Sequence, residues 1–146
     1  MSGGGNVFGQ PQPGRAYAPR PCAYGVVFDG EGRVLVARED TGELYLPGGG
    51  IEGSEDGPTA LRREVLEELA RKAQVGSCFG TALEYVEAGG WLKEAAFYHL
   101  ELGESVPGCV AEHEETWLPI AEALARLNHL SHRWAVGKVR PARGPG

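Results

Sequence analysis

The chain lacks three features that mark membrane-embedded and exported proteins. No apolar run in its 146 residues approaches the ~20 residues that a membrane-spanning helix needs. Residues 1–10 lack the basic patch and apolar stretch of a signal peptide. The cysteines Cys22, Cys78 and Cys109 are odd in number, widely spaced and without a C-x-x-C pair, which disfavours a disulfide framework or a zinc ribbon. We therefore expect a cytoplasmic protein with reduced thiols and no membrane association.

The chain also lacks an excess of positive charge. It has 14 Lys and Arg against 20 Asp and Glu, a net charge of -6 and a pI of about 5.2. A general nucleic-acid binder would show a basic face, so we expect no stable nucleic-acid binding. A phosphorylated substrate stays compatible with this composition because bound cations can supply the positive charge that phosphates need.

A hydrophobic content of 42% is enough for the core of one folded domain. Residues 1–19 are rich in Gly, Pro and Gln and have no periodic apolar positions, so we predict a flexible arm there. Residues 140–146 are predicted to form a flexible tail for the same reason. The folded domain is therefore expected to cover residues 20–139.

Apolar periodicity and turn residues predict an alternation of strands and helices in this domain. The first two strands and the fourth and fifth are expected to pair as hairpins. The predicted strands cover residues 22–28, 33–37, 43–47, 77–87, 91–102 and 116–118. The predicted helices cover residues 60–72, 120–127 and 131–139. This order predicts an α+β fold with a mixed sheet between helical layers.

Three glutamates share one face of the first predicted helix. Glu64, Glu67 and Glu68 are three, one and four residues apart, and side chains three or four apart are neighbours on a helix. Like charges four residues apart weaken a helix by roughly 0.2–0.5 kcal/mol. A hard divalent cation such as magnesium would relieve this repulsion, because it prefers oxygen ligands.

The same glutamates also fit a solvent-exposed helix without a site. Glu67 with Arg71 and Glu68 with Lys72 would then form favourable pairs four residues apart. This alternative would be preferred if the glutamates stood alone. They do not, because a run of glycines at residues 48–50 precedes them.

The glycines, a spaced glutamate and an Arg-Glu pair together resemble the box of the Nudix hydrolase family. That pattern is G-x5-E-x7-R-E-U-x-E-E-x-G-U, where U is aliphatic. It is matched by Gly49, Glu55, Arg63, Glu64, Val65, Glu67 and Glu68. The chain departs from it at Ala70 and Arg71, which stand where the family has glycine and an aliphatic residue. Alanine at position 70 is expected to let the helix continue instead of ending in a left-handed cap.

The resemblance implies an α/β/α sandwich and a site for Mg²⁺ or Mn²⁺. Glu64, Glu67 and Glu68 would be metal ligands, together with the backbone carbonyl of Gly49. Glu64 or a neighbouring glutamate would also activate the attacking water. Two further residues, Arg63 and Glu55, resemble the partners that orient these carboxylates, because arginine can hold a carboxylate with its fork of donors.

A loop glutamate assists in many members of the family. Here Glu112, Glu114 and Glu115 precede Trp117, and Glu112 is the first candidate, followed by Glu115. A solvated acidic loop is the alternative for each of them.

Other residues have weaker claims to a role. Tyr24, Tyr85 and Trp91 could stack on a base, although packing in the core or the sheet is the commoner use of such residues. Arg38 follows an apolar strand and could meet a phosphate or lie on the surface. His129 and His132 are three residues apart, but a helix is expected to start between them with Ser131 as its N-cap, which disfavours a metal pair.

The implied function is metal-dependent hydrolysis of a diphosphate linkage, by an activated water, in a nucleoside diphosphate derivative or a nucleoside triphosphate. The alternative is a non-catalytic nucleotide-binding Nudix module. The intact set of Glu64, Glu67 and Glu68 favours the enzyme. The expected partner is a small phosphorylated nucleotide, and a homodimer is left open.

Overall fold

A computed structural model describes residues 6–142, so parts of the predicted arm and tail, residues 1–5 and 143–146, lie outside the described residues. The strands are β1 (Asn6–Phe8), β2 (Ala18–Val26), β3 (Arg33–Arg38), β4 (Leu44–Tyr45), β5 (Gly48–Gly50), β6 (Arg71–Val86), β7 (Trp91–Ser105) and β8 (Glu114–Pro119). The helices are α1 (Gly57–Leu69), α2 (Ile120–Arg126) and α3 (Leu130–Val139). Within residues 6–142, no helix is long and apolar enough to cross a membrane.

The strands form two sheets, and the larger one is mixed. Its order is β1-β6-β7-β2-β5, with β1 parallel to β6, β2 parallel to β7, and antiparallel pairing elsewhere. The smaller sheet is antiparallel, in the order β4-β3-β8. The predicted hairpin of the fourth and fifth strands is confirmed as the β6–β7 pair.

The hairpin predicted for residues 22–28 and 33–37 is present only near its turn. A bridge joins Phe28 to Val34, and the N–H of Leu35 donates to the carbonyl of Val27. Beyond that point the two strands part into different sheets, because β2 pairs along its whole length with β7. The longer ladder with β7 outweighs the local pairing that the turn suggests.

Helices cover both sides of the strands. One apolar cluster lies under α1 and includes Leu35, Leu61, Val65 and Leu69. A second, larger cluster lies under α2 and α3 and includes Phe97. The predicted α+β sandwich is therefore confirmed, with the apolar stripe of α1 turned inward.

Helix α1 begins as its sequence predicts. The Asp56 carboxylate caps the helix by accepting from the N–H of Thr59 at 2.8 Å, and Pro58 lies in the first turn. Leu61 and Val65 are fully buried, which fixes the rotation of the helix about its axis. The face that holds the glutamates is fixed with it.

The end of α1 differs from the prediction. Ala70 takes a left-handed conformation with φ 54°, and its N–H donates to the carbonyl of Leu66 at 2.9 Å. The expectation that alanine would let the helix run to residue 72 is therefore wrong. The next residue, Arg71, starts β6 and holds the Glu115 carboxylate with two hydrogen bonds of 2.9 Å, so tertiary pairing overrides the helical preference of alanine.

The described part of the predicted arm lies on the domain. Val7 pairs with Leu83 in β6, and Phe8 packs against the ring of Trp134 with centroids 6.2 Å apart. Farther along, the hydroxyl of Tyr17 donates to the Glu87 carboxylate at 2.5 Å. In the sequence, Val7 and Phe8 are only two adjacent apolar residues. In the structure they form a short strand that pairs with β6.

Candidate active site

A cleft of about 420 Å³ opens where β5, α1 and the ends of β2 and β7 meet. Its walls come from segments far apart in the sequence. Its charged lining includes the acidic Glu64 and Glu68 of α1, the acidic Glu39 that follows β3, and the basic Arg20 of β2 and Lys93 of β7. The glycines of β5 and the residues Tyr24, Tyr45, Trp91, His113 and His129 complete most of the lining.

The acidic wall, defined as Glu64 and Glu68, lies against the glycine strand. The two side chains are only 16% and 12% exposed. The N–H of Gly48 donates to the Glu68 carboxylate at 3.0 Å. A Cβ on Gly49 would lie 2.7 Å from a carboxylate oxygen of Glu64, so a side chain at that position would displace the glutamate.

Both carboxyl groups of the acidic wall titrate above their ordinary range. Burial raises the pKa of Glu68 to about 9, and the charges of Glu64, Glu112 and Glu67 raise it further against the hydrogen bond from Gly48. Burial also raises the pKa of Glu64, against the neighbouring charge of Arg63. Burial therefore opposes the charged form of both carboxyl groups, and Arg63 offsets this only at Glu64, so a divalent cation would stabilise the two carboxylates together.

Arg63 orients the acidic wall. Its guanidinium binds both oxygens of Glu55 at 2.7 and 2.9 Å and donates to the carbonyl of Gly50 at 3.0 Å. It also reaches a carboxylate oxygen of Glu64 at 2.8 Å. The hydrogen bonds from Arg63, followed by one from the N–H of Glu52, hold the pKa of Glu55 at about 2. The predicted orienting pair is thus assembled around Glu64.

Other predicted residues lie at the rim. The Glu67 side chain is 46% exposed and contacts Arg63 at 3.4 Å, outside the cleft lining. Glu112 is exposed, and its N–H donates to the carbonyl of Glu67 at 3.1 Å. Glu115 is bound by Arg71, and Glu114 is exposed. Among residues 6–142, no three His, Cys, Asp or Glu side chains converge as a ready-made metal cage.

The opposite wall of the cleft was not predicted. We call Arg20 and Lys93 the basic wall. The guanidinium of Arg20 lies over the ring of Trp91, 4.9 Å from its centroid. The ammonium of Lys93 donates to the hydroxyl oxygen of Tyr24 at 2.9 Å and lies 3.2 Å from Nε2 of His129.

A histidine and a buried carboxylate stand behind Lys93. Burial, and then the charge of Lys93, lowers the pKa of His129 to about 4, so its ring is neutral and Nε2 accepts from the ammonium. The Glu84 carboxylate, 3.8 Å from His129, accepts from the N–H groups of Leu130 and Ser131 at 3.1 and 3.0 Å. Ser131 is therefore inside α3, and the predicted serine cap is replaced by a glutamate from β6.

Sequence reasoning named two of these aromatic residues. Tyr24 is buried and stacks on Phe97 with centroids 5.8 Å apart, so the packing interpretation is correct for its ring. Trp91 lines the cleft, where base stacking stays a prediction. Arg38 is exposed.

A profile of the NUDIX domain matches residues 18–137, which is most of the chain. The chain therefore belongs to the Nudix family, and the family resemblance of its sequence is confirmed. An RNA pyrophosphohydrolase of Dinoroseobacter shibae is 39% identical over 71 residues, covering 47% of this chain and 38% of that protein. The match thus spans well under half of that relative's length.

Solved structures of the family share the fold. A NUDIX hydrolase from Nitrosomonas europaea has a TM-score of 0.73 at 18% identity, over 82% of this chain and 86% of that one. The E. coli dihydroneopterin triphosphate pyrophosphohydrolase has a TM-score of 0.68 at 20% identity, over 86% and 98% of the two chains. At these identities the likeness is one of architecture.

Proposed function

We propose that this chain is a pyrophosphohydrolase that cleaves a diphosphate linkage in a nucleoside diphosphate derivative or a nucleoside triphosphate, using Mg²⁺ or Mn²⁺. The observation that supports it most is the acidic wall. Two partly buried carboxyl groups, Glu64 and Glu68, face one cleft with raised pKa values. Arg63 binds Glu64, whereas Glu68 has no cationic side chain within hydrogen-bonding distance among residues 6–142. Such a donor set fits a hard divalent cation.

Four groups would hold the cation in this proposal: the carboxylates of Glu64, Glu67 and Glu68 and the carbonyl of Gly49. When bound, such a cation lowers the pKa of water and neutralises the charge that develops on a phosphate. Glu67 would have to turn inward from the rim, which its 46% exposed side chain leaves room to do. Glu68 is already fixed by the N–H of Gly48.

The chemistry would be displacement at phosphorus. The oxygen of a water attacks one phosphorus of the diphosphate, and the bond from that phosphorus to the bridging oxygen breaks. Glu64 would take the proton of the water, because its carboxylate is oriented by Arg63 and faces the cleft. The products are two fragments that each end in a phosphate. Glu112 stays the first candidate for a loop glutamate that assists the reaction, and this role stays a prediction.

A substrate panel tests this proposal. The full chain is assayed for phosphate or nucleotide release with nucleoside triphosphates, dinucleoside polyphosphates, ADP-ribose and NADH, with Mg²⁺, with Mn²⁺ and without metal. An RNA with a 5′ triphosphate joins the panel because a relative is named an RNA pyrophosphohydrolase. Metal-dependent release from at least one compound is expected. Binding of nucleotide with no turnover of any compound would favour the non-catalytic module instead.

The variant Glu64→Gln connects turnover to the acidic wall. It keeps the shape of the side chain and removes its charge, so kcat should fall by at least ~100-fold, the low end for a positioned acid–base group. Glu101→Gln is the matched control, because Glu101 is an exposed glutamate on β7 outside the cleft. Near-normal turnover of Glu64→Gln would remove Glu64 from the mechanism.

A further inference from the structure

Two positive side chains face each other in register at one end of the larger sheet. Arg20 and Lys93 are direct partners on the parallel strands β2 and β7. Like charges opposite each other destabilise a sheet, so this pairing opposes the stability of the fold. Both side chains line the same cleft as the acidic wall.

The two cations have no carboxylate partner in the part of the chain that the structure describes. Neither forms an ion pair within 4.0 Å among residues 6–142. The buried carboxylate of Glu84 accepts hydrogen bonds from the backbone at the start of α3. His129 separates it from Lys93. Burial lowers the pKa of Lys93, and the charge of Arg20 lowers it further against Cys22 and Glu84.

Both side chains are held in place with donors to spare. Lys93 has three N–H donors and gives two of them to Tyr24 and His129. The guanidinium of Arg20 rests on Trp91 and makes no side-chain hydrogen bond among residues 6–142. It lies close to β5, where a Cβ on Gly50 would be 2.9 Å from a guanidinium nitrogen and would shift the side chain. The remaining donors are available to a ligand in the cleft.

We propose that the basic wall, Arg20 and Lys93, is an anion subsite for a phosphate group of the substrate that extends beyond the scissile diphosphate. This rests on the proposed function, in which a cation at the acidic wall already neutralises the diphosphate. Two further positive charges then match one terminal phosphate. The substrate class is accordingly a nucleotide with a chain of three or more phosphates, in preference to a diphosphate joined to an uncharged group.

Anion binding without metal tests the subsite separately from catalysis. Without a divalent cation the acidic wall offers no positive charge to a phosphate, so binding of inorganic tripolyphosphate to metal-stripped full chain reports the basic wall. Titration calorimetry at low salt should show binding that weakens as salt rises. Arg20→Met and Lys93→Met should each weaken binding at least about tenfold, since each removes a charge-assisted contact. The matched controls are Lys72→Met and Arg126→Met, which remove exposed cations outside the cleft and should bind as the unchanged chain does.

The thermal midpoint checks that each variant is folded. Lys93→Met should keep or raise the midpoint because it removes a like-charge pair, and Arg20→Met alters an exposed side chain. Tripolyphosphate binding by both folded variants at the affinity of the unchanged chain would overturn the proposal. So would the absence of binding by the unchanged chain.

Kinetics with a confirmed substrate test the substrate class. For a nucleoside triphosphate, both variants should raise KM about tenfold or more and change kcat much less, because they remove binding contacts distant from the water. For ADP-ribose the rise in KM should be smaller, and an equal rise would overturn the assignment to a third phosphate. If no compound in the panel is hydrolysed but the variants still bind tripolyphosphate more weakly than the unchanged chain does, the proposed function fails and the subsite stands.

Discussion

The two walls of the cleft concentrate charges of opposite sign by different means. The acidic wall comes from one turn of α1, whereas the basic wall joins strands β2 and β7, whose residues Arg20 and Lys93 are far apart in the sequence. On the acidic wall, burial raises the pKa of Glu68 to about 9. On the basic wall, burial lowers the pKa of Lys93. Burial opposes the charged forms of Glu68 and Lys93, so a ligand of the opposite sign would stabilise each wall.

The same contrast applies to the supports behind the walls. Glu64 is oriented by a charged partner, Arg63, which joins it to Glu55. Lys93 is oriented by neutral acceptors, the hydroxyl of Tyr24 and the ring of His129. Arg63 offsets part of the rise that burial causes in the pKa of Glu64, whereas neutral acceptors leave the charge of Lys93 available to a ligand. The following changes alter one wall at a time.

The largest effect on stability is expected from the apolar stripe beneath the acidic wall. Leu61→Ala should lower the free energy of unfolding by ~2–5 kcal/mol, because it leaves a cavity under α1. Leu61 is fully buried in the cluster that also holds Leu35 and Val65. Denaturant unfolding measures the change. Leu66→Ala on the same helix is the control, since Leu66 is 38% exposed and its loss should cost under about 1 kcal/mol.

The acidic wall should make the metal-free protein less stable as the pH rises. The folded pKa of Glu68, about 9, lies above the ordinary value of 4.5, so folding favours the protonated carboxyl group. Its contribution is fully present below pH 4.5 and is lost as the pH rises towards 9. Glu68→Gln should remove this loss and be more stable than the unchanged chain by on the order of 1–3 kcal/mol at pH 7.

Metal should reverse that ranking. A cation that binds only the folded state stabilises it by about 2.7 kcal/mol at a hundredfold excess over its dissociation constant. Glu68→Gln should lose most of this gain, which thermal midpoints with and without Mg²⁺ would measure. An equal gain in the variant would place the cation away from Glu68.

Behind the basic wall the pH dependence should have the opposite sign. Burial lowers the pKa of His132 well below its ordinary value, and a positive charge on His129, once that ring is protonated, and on Lys93 lowers it further. The stability that depends on the neutral ring is present above about pH 6.5 and is lost as the pH falls below it. His132→Asn keeps an acceptor for the N–H of Leu46, which Nδ1 accepts at 3.1 Å in the unchanged chain. Between pH 7.5 and pH 5, the variant should lose less stability than the unchanged chain does, and the difference should be at most about 2 kcal/mol.

Denaturant midpoints at the two pH values measure this difference. Glu68→Gln serves as a control at the acid end, because its effect grows as the pH rises and that of His132→Asn grows as the pH falls. Parallel losses of stability in His132→Asn and the unchanged chain between the two pH values would show that His132 does not titrate on unfolding in this range.

The acidic wall could be predicted because its information is local. Glu64 and Glu68 are four residues apart, and helical geometry alone puts them on one face beside Leu61 and Val65. The family pattern then added Arg63 as their partner, and the structure joins it to Glu64. Which of the carboxylates lie within the cleft depended on burial, and this left Glu67 at the rim.

The basic wall could not be predicted because its information is non-local. Arg20 and Lys93 meet only through the parallel pairing of β2 with β7, and no turn connects those strands directly. The same pairing drew β2 away from the hairpin that its turn residues suggested. Glu84 replaced Ser131 as the cap of α3 by the same kind of distant contact. Periodicity predicted most of the elements, but it missed β1 and β5 and misplaced the end of α1, and it does not assign the partners of a strand.

The smallest expected effect lies at the end of the helix that holds the acidic wall. Ala70 occupies the left-handed region at φ 54°, where an L-residue with a Cβ costs roughly 1–2 kcal/mol. Ala70→Gly removes that cost, while the extra freedom of glycine in the unfolded chain returns roughly 0.5–1 kcal/mol. A net gain in stability of about 0.5–1 kcal/mol is therefore expected, or a rise in the thermal midpoint of about 1–4 °C.

The sign of this change distinguishes a local cause from a tertiary one. Ala60→Gly, in the right-handed part of the same helix, should lower stability by about 1 kcal/mol or more, because glycine has its entropic cost there and the buried methyl group of Ala60 is lost. Opposite signs in the two variants would show that strain at Ala70 is real and that the pairing of Arg71 with Glu115 overcomes it. A loss of stability in both would mean that Ala70 is favoured where it stands, through the burial of its methyl group. Backbone strain at Ala70 would then have no net effect on stability, and alanine in place of the family's glycine would be neutral or favourable for the fold.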